Sequence, residues 1–274
     1  MREKTPVVLH FHKYTATGND FILIDDRDER FPTENSSLIR RLCDRRFGIG
    51  ADGLILLQHS PKTAFRMRYF NRDGLEAEMC GNGARSVVHF AGELGIVNGT
   101  CEFESMLAVH QARFHPEAPS VRLNSPTSVR FEEPAVPAAP GAVLGYVEIG
   151  VPHLVIEVDD LDGLDVPVLG ARLAHDPVFP KGANVDFVQL LNGKRFKMRT
   201  FERGVEAETL SCGTGAAASA LLVRKLRGGK FPARVHVRGG ELQVSGAPER
   251  GELWLTGPVE HLFRGEWLAN SGRS

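Results

Sequence analysis

One internal repeat limits what this chain can fold into. The stretch RMRYFNRDGLEAEMCGNGA begins at Arg66, and KMRTFERGVEAETLSCGTGA begins at Lys197. Met67 and Met198 stand 131 residues apart while Cys80 and Cys212 stand 132 apart, so a single insertion aligns the two copies. Each copy reads as a strand, a loop containing Gly and Glu, then Cys-Gly-x-Gly opening an Ala-rich helix. Repeats of roughly 20–50 residues build solenoids. One duplication near half the chain length instead predicts two similar domains related by a pseudo-twofold axis, and 274 residues suit two cores of ordinary size.

The remaining pattern agrees with that division. Short runs rich in β-branched and aromatic residues, broken by Gly, Pro, Asn and Asp, predict strands over residues 7–14, 20–27, 54–58, 65–71, 109–114, 120–124, 145–149, 153–158, 185–191, 196–201, 234–239, 241–246 and 252–257. Helices are expected over 35–46, 83–94 and 215–227. Strands so outnumber helices that the class is α+β rather than a doubly wound parallel sheet. The Pro-rich segment 126–145 reads as a linker or surface excursion. The expected halves are residues 1–126, carrying Cys80, and 127–261, carrying Cys212.

Charge and composition exclude several classes. The 33 basic residues against 34 acidic ones leave a formal charge of −1, without the basic surplus a nucleic-acid partner demands. No apolar run approaches the roughly 20 residues of a membrane span. The opening MREKTPVVLHFH lacks the apolar stretch of a secretory signal. Four cysteines, Cys43, Cys80, Cys101 and Cys212, lie far apart without CxxC or zinc-ligand spacing, which predicts free thiols in a reducing cytoplasm. Cys43 and Cys101 read as small buried hydrophobes.

Cys-Gly-x-Gly at a helix start is chemically pointed. A helix N-terminus presents unpaired N–H groups and the positive end of the macrodipole, and glycine lets an anion approach the backbone. The same field raises the thiolate fraction of a Cys placed there. A single such motif fits a phosphate site, a redox thiol or a tight turn. Two copies fit inversion of a carbon acidified by a carboxylate: one thiolate removes the α-proton, the opposite thiol returns one, and backbone donors hold the carboxylate. That scheme needs no pyridoxal lysine and no metal, so no cofactor is expected. Competing motifs fail on context. Gly48-Ile49-Gly50-Ala51-Asp52-Gly53 matches GxGxxG but precedes a strand, the reverse of the dinucleotide-binding order. A Cys–His hydrolase using His153 leaves the duplication unexplained. A thiol redox protein predicts a functional Cys80–Cys212 disulfide.

With TGNDFILID, YFNRDG, MCGNGARS, NVDF, FERGVEAETLSCGTGAAASA and LTGPVEHLFRGE in place, the chain resembles diaminopimelate epimerases along most of its length. The resemblance implies two curled, mostly antiparallel sheets, each around a central helix, with the C-terminal segment from about residue 262 returning to complete the first. It implies a homodimer and a small-molecule amino-acid substrate, the LL isomer of diaminopimelate passing to the meso isomer in lysine and peptidoglycan-precursor synthesis. Position by position, it makes Cys80 and Cys212 the catalytic thiols and Gly81, Asn82, Gly213 and Thr214 the carboxylate cradle. Asn19, Asn71 and Asn184 become substrate contacts, and Glu202 and Arg203 the grip on the distal amino-acid end. His153, with Glu202, would modulate the thiols. The residues leave open which thiol is ionised at rest; the resemblance makes Cys212 the base and Cys80 the acid toward the LL isomer. Two departures, Val151 where many members carry Asn and Gly53 where some carry Gln, bear on substrate identity. The alternatives are a racemase for another amino acid, such as histidine, and a non-catalytic amino-acid binder.

Overall fold

The computed structural model describes residues 7–269. Two compact units emerge, one running to Pro119 and resuming at Val259, the other spanning Ser120–Pro258. The first boundary precedes residue 126 because Ser120–Arg122 pair with Trp254–Thr256 and so belong to the second unit.

The first unit contains β1 (Val7–Ala16), β2 (Asn19–Asp25), α1 (Ser36–Cys43), β3 (Gly53–Gln58), β4 (Phe65–Asn71), β5 (Glu76–Ala77), α2 (Gly81–Glu93), β6 (Thr100–Glu104) and β7 (Val109–Arg113). The second contains β8 (Ser120–Arg122), β9 (Ser128–Phe131), β10 (Ala142–Ile149), β11 (Val151–Glu157), α3 (Val166–Ala174), β12 (Asn184–Asn192), β13 (Arg195–Glu202), β14 (Ala207–Thr209), α4 (Gly213–Leu226), β15 (Ala233–Val237), β16 (Gly240–Ala247) and β17 (Glu252–Thr256). The last strand, β18 (Glu260–Ala269), returns to the first unit and pairs antiparallel with β1.

The two units repeat one topology. β1–β2, β3–β4, β4–β5 and β6–β7 are antiparallel, while β2 runs parallel to β3 and β4 to β6. In the second unit β10–β11, β12–β13, β13–β14 and β15–β16 are antiparallel, while β11 runs parallel to β12 and β13 to β15. Parallel neighbours need a crossover, and each crossover carries a helix: α1 and α3 in the first, α2 and α4 in the second.

The helices cover opposite faces. On α1, Asn35 Oδ1 accepts from Leu38 N–H at 3.0 Å as N-cap, and Ile39, Leu42 and Cys43 face the sheet at i, i+3 and i+4. They join Ile22, Ile24, Leu54, Leu56 and Phe70 in one apolar cluster. Asp165 caps α3 in the same way, with Leu173 and Ala174 packed on Leu154, Ile156, Val185 and Phe187. Each Leu, Ile, Val or Phe side chain taken fully out of water stabilises by about 1.5–3 kcal/mol. By contrast α2 and α4 are buried almost all round, from Asn82 to Ala91 and over most of Gly213–Val223. Only a sheet that curls about its helix does this. Every residue of β3 is therefore buried, since both faces are covered.

Several local expectations needed correction. α2 and α4 begin at Gly81 and Gly213, because Cys80 and Cys212 themselves are the N-caps. α3 and the strands β5, β6, β9, β14 and β18 were not expected; β9 lies in the Pro-rich segment and gains strand character by pairing with β10. No helix among the described residues is long and apolar enough to cross a membrane.

Candidate active site

Cys80 stands at the start of α2 with extended backbone, φ −94° and ψ 130°, and accepts Ala84 N–H on its carbonyl at 2.7 Å. The first-turn amides of Gly81 and Asn82 follow it. Asn19, opening β2, brings its Oδ1 to 3.8 Å from Cys80 Sγ and accepts Asn82 Nδ2 at 3.3 Å. Asn19 Nδ2 donates to Asp52 at 2.7 Å, which fixes the amide's orientation. Arg45 bridges Asp52 and Asp20, and Lys13 joins Asp20 as well as the Gly50 carbonyl. Burial alone would raise Asp20, but the Arg45 and Lys13 hydrogen bonds outweigh it and hold that carboxyl down at about 2. The sequence order 48–53 that mimics a dinucleotide loop thus anchors Asn19 beside Cys80.

Cys212 repeats the position on α4, with φ −121° and ψ 112°, and its Sγ accepts Gly215 N–H at 3.4 Å. Thr214 Oγ1 lies 3.5 Å from that sulfur and 2.9 Å from His153 Nε2. His153 Nδ1 meets Asp186 Oδ2 at 2.8 Å, and Asp186 Oδ1 accepts Thr200 Oγ1 at 2.6 Å; His153 and Asp186 are wholly buried. Glu202 accepts Thr209 Oγ1 at 2.6 Å. Burial pushes the Cys212 thiol well up, and the Glu202 and Asp186 carboxylates push in the same direction. Burial likewise raises Glu202, which the Thr209 hydrogen bond only partly offsets. Gly215 is required here, since a Cβ would overlap Asp186 Oδ1.

The residues singled out in the sequence thus gather in two places. Asn19, Cys80, Gly81 and Asn82 form one group; His153, Glu202, Cys212, Gly213 and Thr214 form the other, with Asn184 Oδ1 accepting Arg203 N–H at 2.9 Å. Asn71 ends β4 opposite Gly53, as Glu202 ends β13. Arg203 and Val151 both line a cavity of about 380 Å³ within the second unit, shared with Arg130, Lys181 and Glu148. Asp186, Thr200, Asp52 and Arg85 escaped sequence reasoning. The i, i+2 spacing of Asn184 with Asp186, which puts both on one face of a strand, was the available signal.

Gly53 has a structural reason. A Cβ there would lie 2.5 Å from Tyr69 Cε2 and 2.7 Å from the Phe70 carbonyl oxygen. Gly53→Ala is expected to destabilise by about 1–3 kcal/mol through overpacking, read as a lower denaturant midpoint at unchanged slope; an unshifted midpoint would show that Tyr69 yields freely.

The sequence pattern describing diaminopimelate epimerase matches residues 11–109 and 145–262, covering both cysteine motifs. The chain belongs to the diaminopimelate epimerase family, a family of isomerases. A diaminopimelate epimerase of Flavobacterium psychrophilum is 39% identical over 263 residues, spanning 93% of this chain and 98% of that one. One from Aquifex aeolicus is also 39% identical, spanning 94% and 97%. Among solved structures, a PhzF-family phenazine biosynthesis protein of Bacillus anthracis shares the fold at a TM-score of 0.71 and 15% identity, over 96% of this chain and 99% of that chain. A hydroxyproline epimerase of Agrobacterium vitis, with bound trans-4-hydroxy-L-proline, does so at 0.64 and 15%, over 99% and 95%.

Proposed function

We propose that this chain interconverts LL- and meso-diaminopimelate, in lysine and peptidoglycan-precursor synthesis, by proton transfer between two thiols without an organic cofactor. The observation that carries the reading is repetition. In two units of the same topology, a cysteine is the N-cap of the enclosed helix and is followed by Gly-x-Gly. One thiolate takes the α-proton and becomes a thiol. The electron pair left on carbon spreads into the adjacent carboxylate, and the second thiol delivers its proton and becomes the thiolate. Charge and protons balance, and nothing is oxidised. First-turn amides of Gly81, Asn82, Gly213 and Thr214 are suited to stabilise the charge growing on that carboxylate. Glu202, Arg203, Asn19, Asn71 and Asn184 would position the substrate, and His153 would orient Thr214 beside Cys212.

A second reading has a specific basis. The Val151 side chain cannot hydrogen-bond a polar group, and it shares the cavity wall with Arg203. An unmatched ammonium or carboxylate there would cost about 1–3 kcal/mol, so the substrate could be another amino acid handled by the same thiols. The four free cysteines fit a reducing compartment such as the cytoplasm, and the family resemblance supports a homodimer. The deciding experiment follows α-deuterium incorporation and chirality for LL-diaminopimelate in heavy water, with reductant and without pyridoxal phosphate, beside proline and histidine. Exchange with meso product is expected. Exchange only with another amino acid would retain the mechanism and replace the substrate; none with any of them would sink the reading.

A further inference from the structure

The two units place opposite charges around equivalent cysteines. Strand register aligns them: Phe21 lies beside Gly53 on parallel strands as His153 lies beside Asn184, and Ile55 faces Tyr69 as Asp186 faces Thr200. The positions that hold His153, Asp186 and Thr200 under Cys212 thus hold Phe21, Ile55 and Tyr69 under Cys80. Glycine contacts give the same alignment independently. A Cβ at Gly83 would meet Ile55, Met67 and Phe21, whereas one at Gly215 would meet Asp186. Five residues after each cysteine the contrast continues, with Arg85 on α2 against Ala217 on α4.

Arg85 is wholly buried. Helical side chains lean toward the N-terminus, and this guanidinium reaches back to the first turn of α2. Its Nη1 donates to the Gly81 carbonyl at 3.4 Å; its Nη2 donates to Asn82 Oδ1 at 3.0 Å and Thr17 Oγ1 at 3.3 Å. All three acceptors are neutral, and Nε has no hydrogen-bond partner among the described residues. Burial lowers this arginine to about 10, which leaves it a cation at neutral pH, and Cys80 is the acidic group whose charge acts to raise it. A buried cation without an anion is costly. No carboxylate forms an ion pair with Arg85 among the described residues: Asp20 is held by Lys13 and Arg45, Asp52 by Arg45, and Glu76 by Arg68, while Glu78, two residues before Cys80, is exposed. On the β1 side Tyr14 gives its hydroxyl to Glu93 at the far end of α2. Asn19 Oδ1, 3.8 Å from Cys80 Sγ, is a weak acceptor for a thiol proton against a buried cation. Around Cys212, by contrast, stand Glu202 and Asp186, with His153 the basic group among them, while the cations of α4, Arg224 and Lys225, lie in its last turn.

We infer that Arg85 is the built-in counter-charge of Cys80, so that in the substrate-free protein Cys80 is the thiolate and Cys212 carries the proton. This rests on the two-thiol reading and adds which partner starts ionised. Arg85 is a positioning residue, since it is enclosed behind the first turn of α2 and acts through Cys80.

The test is alkylation of the full-length, substrate-free protein with iodoacetamide across pH, read at each cysteine by peptide mass spectrometry. Cys80 should reach its rate plateau at lower pH than Cys212. Arg85→Met should reduce the Cys80 rate at pH 7 about tenfold or more, the factor for a one-unit rise of the thiol, and leave the Cys212 profile in place. Arg85→Lys, which retains a cation, should restore much of the Cys80 rate. A wild-type plateau for Cys212 below that of Cys80 overturns the proposal without any variant, as does an unchanged Cys80 profile in a folded Arg85→Met. Should Arg85→Met not fold, the wild-type order and the lysine variant decide. Deuterium exchange on the same wild-type preparation separates the two ideas. Exchange with a reversed plateau order leaves the two-thiol reading standing, and no exchange with the expected order leaves the Arg85 pairing standing alone.

Discussion

Cys80→Ser and Cys212→Ser are each expected to fold normally and to lose turnover by roughly 10²–10⁴-fold, the usual contribution of a positioned acid or base. Serine nearly matches the thiol in size, and at an N-cap it is a preferred residue, so both helix starts should survive. What changes is acidity. A helix terminus can bring a thiol into the range where thiolate forms at neutral pH, but a hydroxyl stays protonated and cannot lift an α-proton. Each variant is to be assayed for epimer formation and α-deuterium exchange, with denaturant midpoints alongside to confirm the fold. A serine variant of either position with near-normal turnover would remove that thiol from the mechanism.

Asp186→Ala carries the largest stability effect. Its carboxylate sits wholly buried between His153 Nδ1 at 2.8 Å and Thr200 Oγ1 at 2.6 Å. Truncation leaves His153 Nδ1 and the Thr200 hydroxyl without their partner in a dry interior, where each buried polar group left unpaired costs about 1–3 kcal/mol. It also frees His153 to turn away from Thr214, which contacts Cys212. Urea unfolding should therefore show a large midpoint drop at unchanged slope. A loss below about 1 kcal/mol would mean that water replaces the carboxylate and that the network does not hold the second unit together.

The parts of this protein readable beforehand were those encoded in short spans. The Cys-Gly-x-Gly motifs mark helix starts as expected, although each helix begins two residues earlier than its Ala-rich run, because backbone hydrogen bonding at a helix start is settled within one turn. β4 was bounded correctly at residues 65–71 because its alternation is local. α3 was missed: Val166–Ala174 is short, begins with a proline in its first turn, and owes its place to packing on β12 and β13 rather than to propensity. β18 escaped because its partner β1 lies at the other end of the chain, and β5 and β14 because two or three residues carry no period.

The duplicated motif by itself determined that two helix starts would carry two cysteines, since hydrogen bonding at a helix terminus involves residues only three or four apart. Tertiary structure alone decided what surrounds each one. Strand register set His153 and Asp186 beneath Cys212 and Phe21 and Ile55 beneath Cys80, and the curl of the first sheet sealed Arg85 away from water. Register and enclosure arise from pairings between distant segments, so electrostatic difference between two nearly identical motifs could be seen only once the chain was folded.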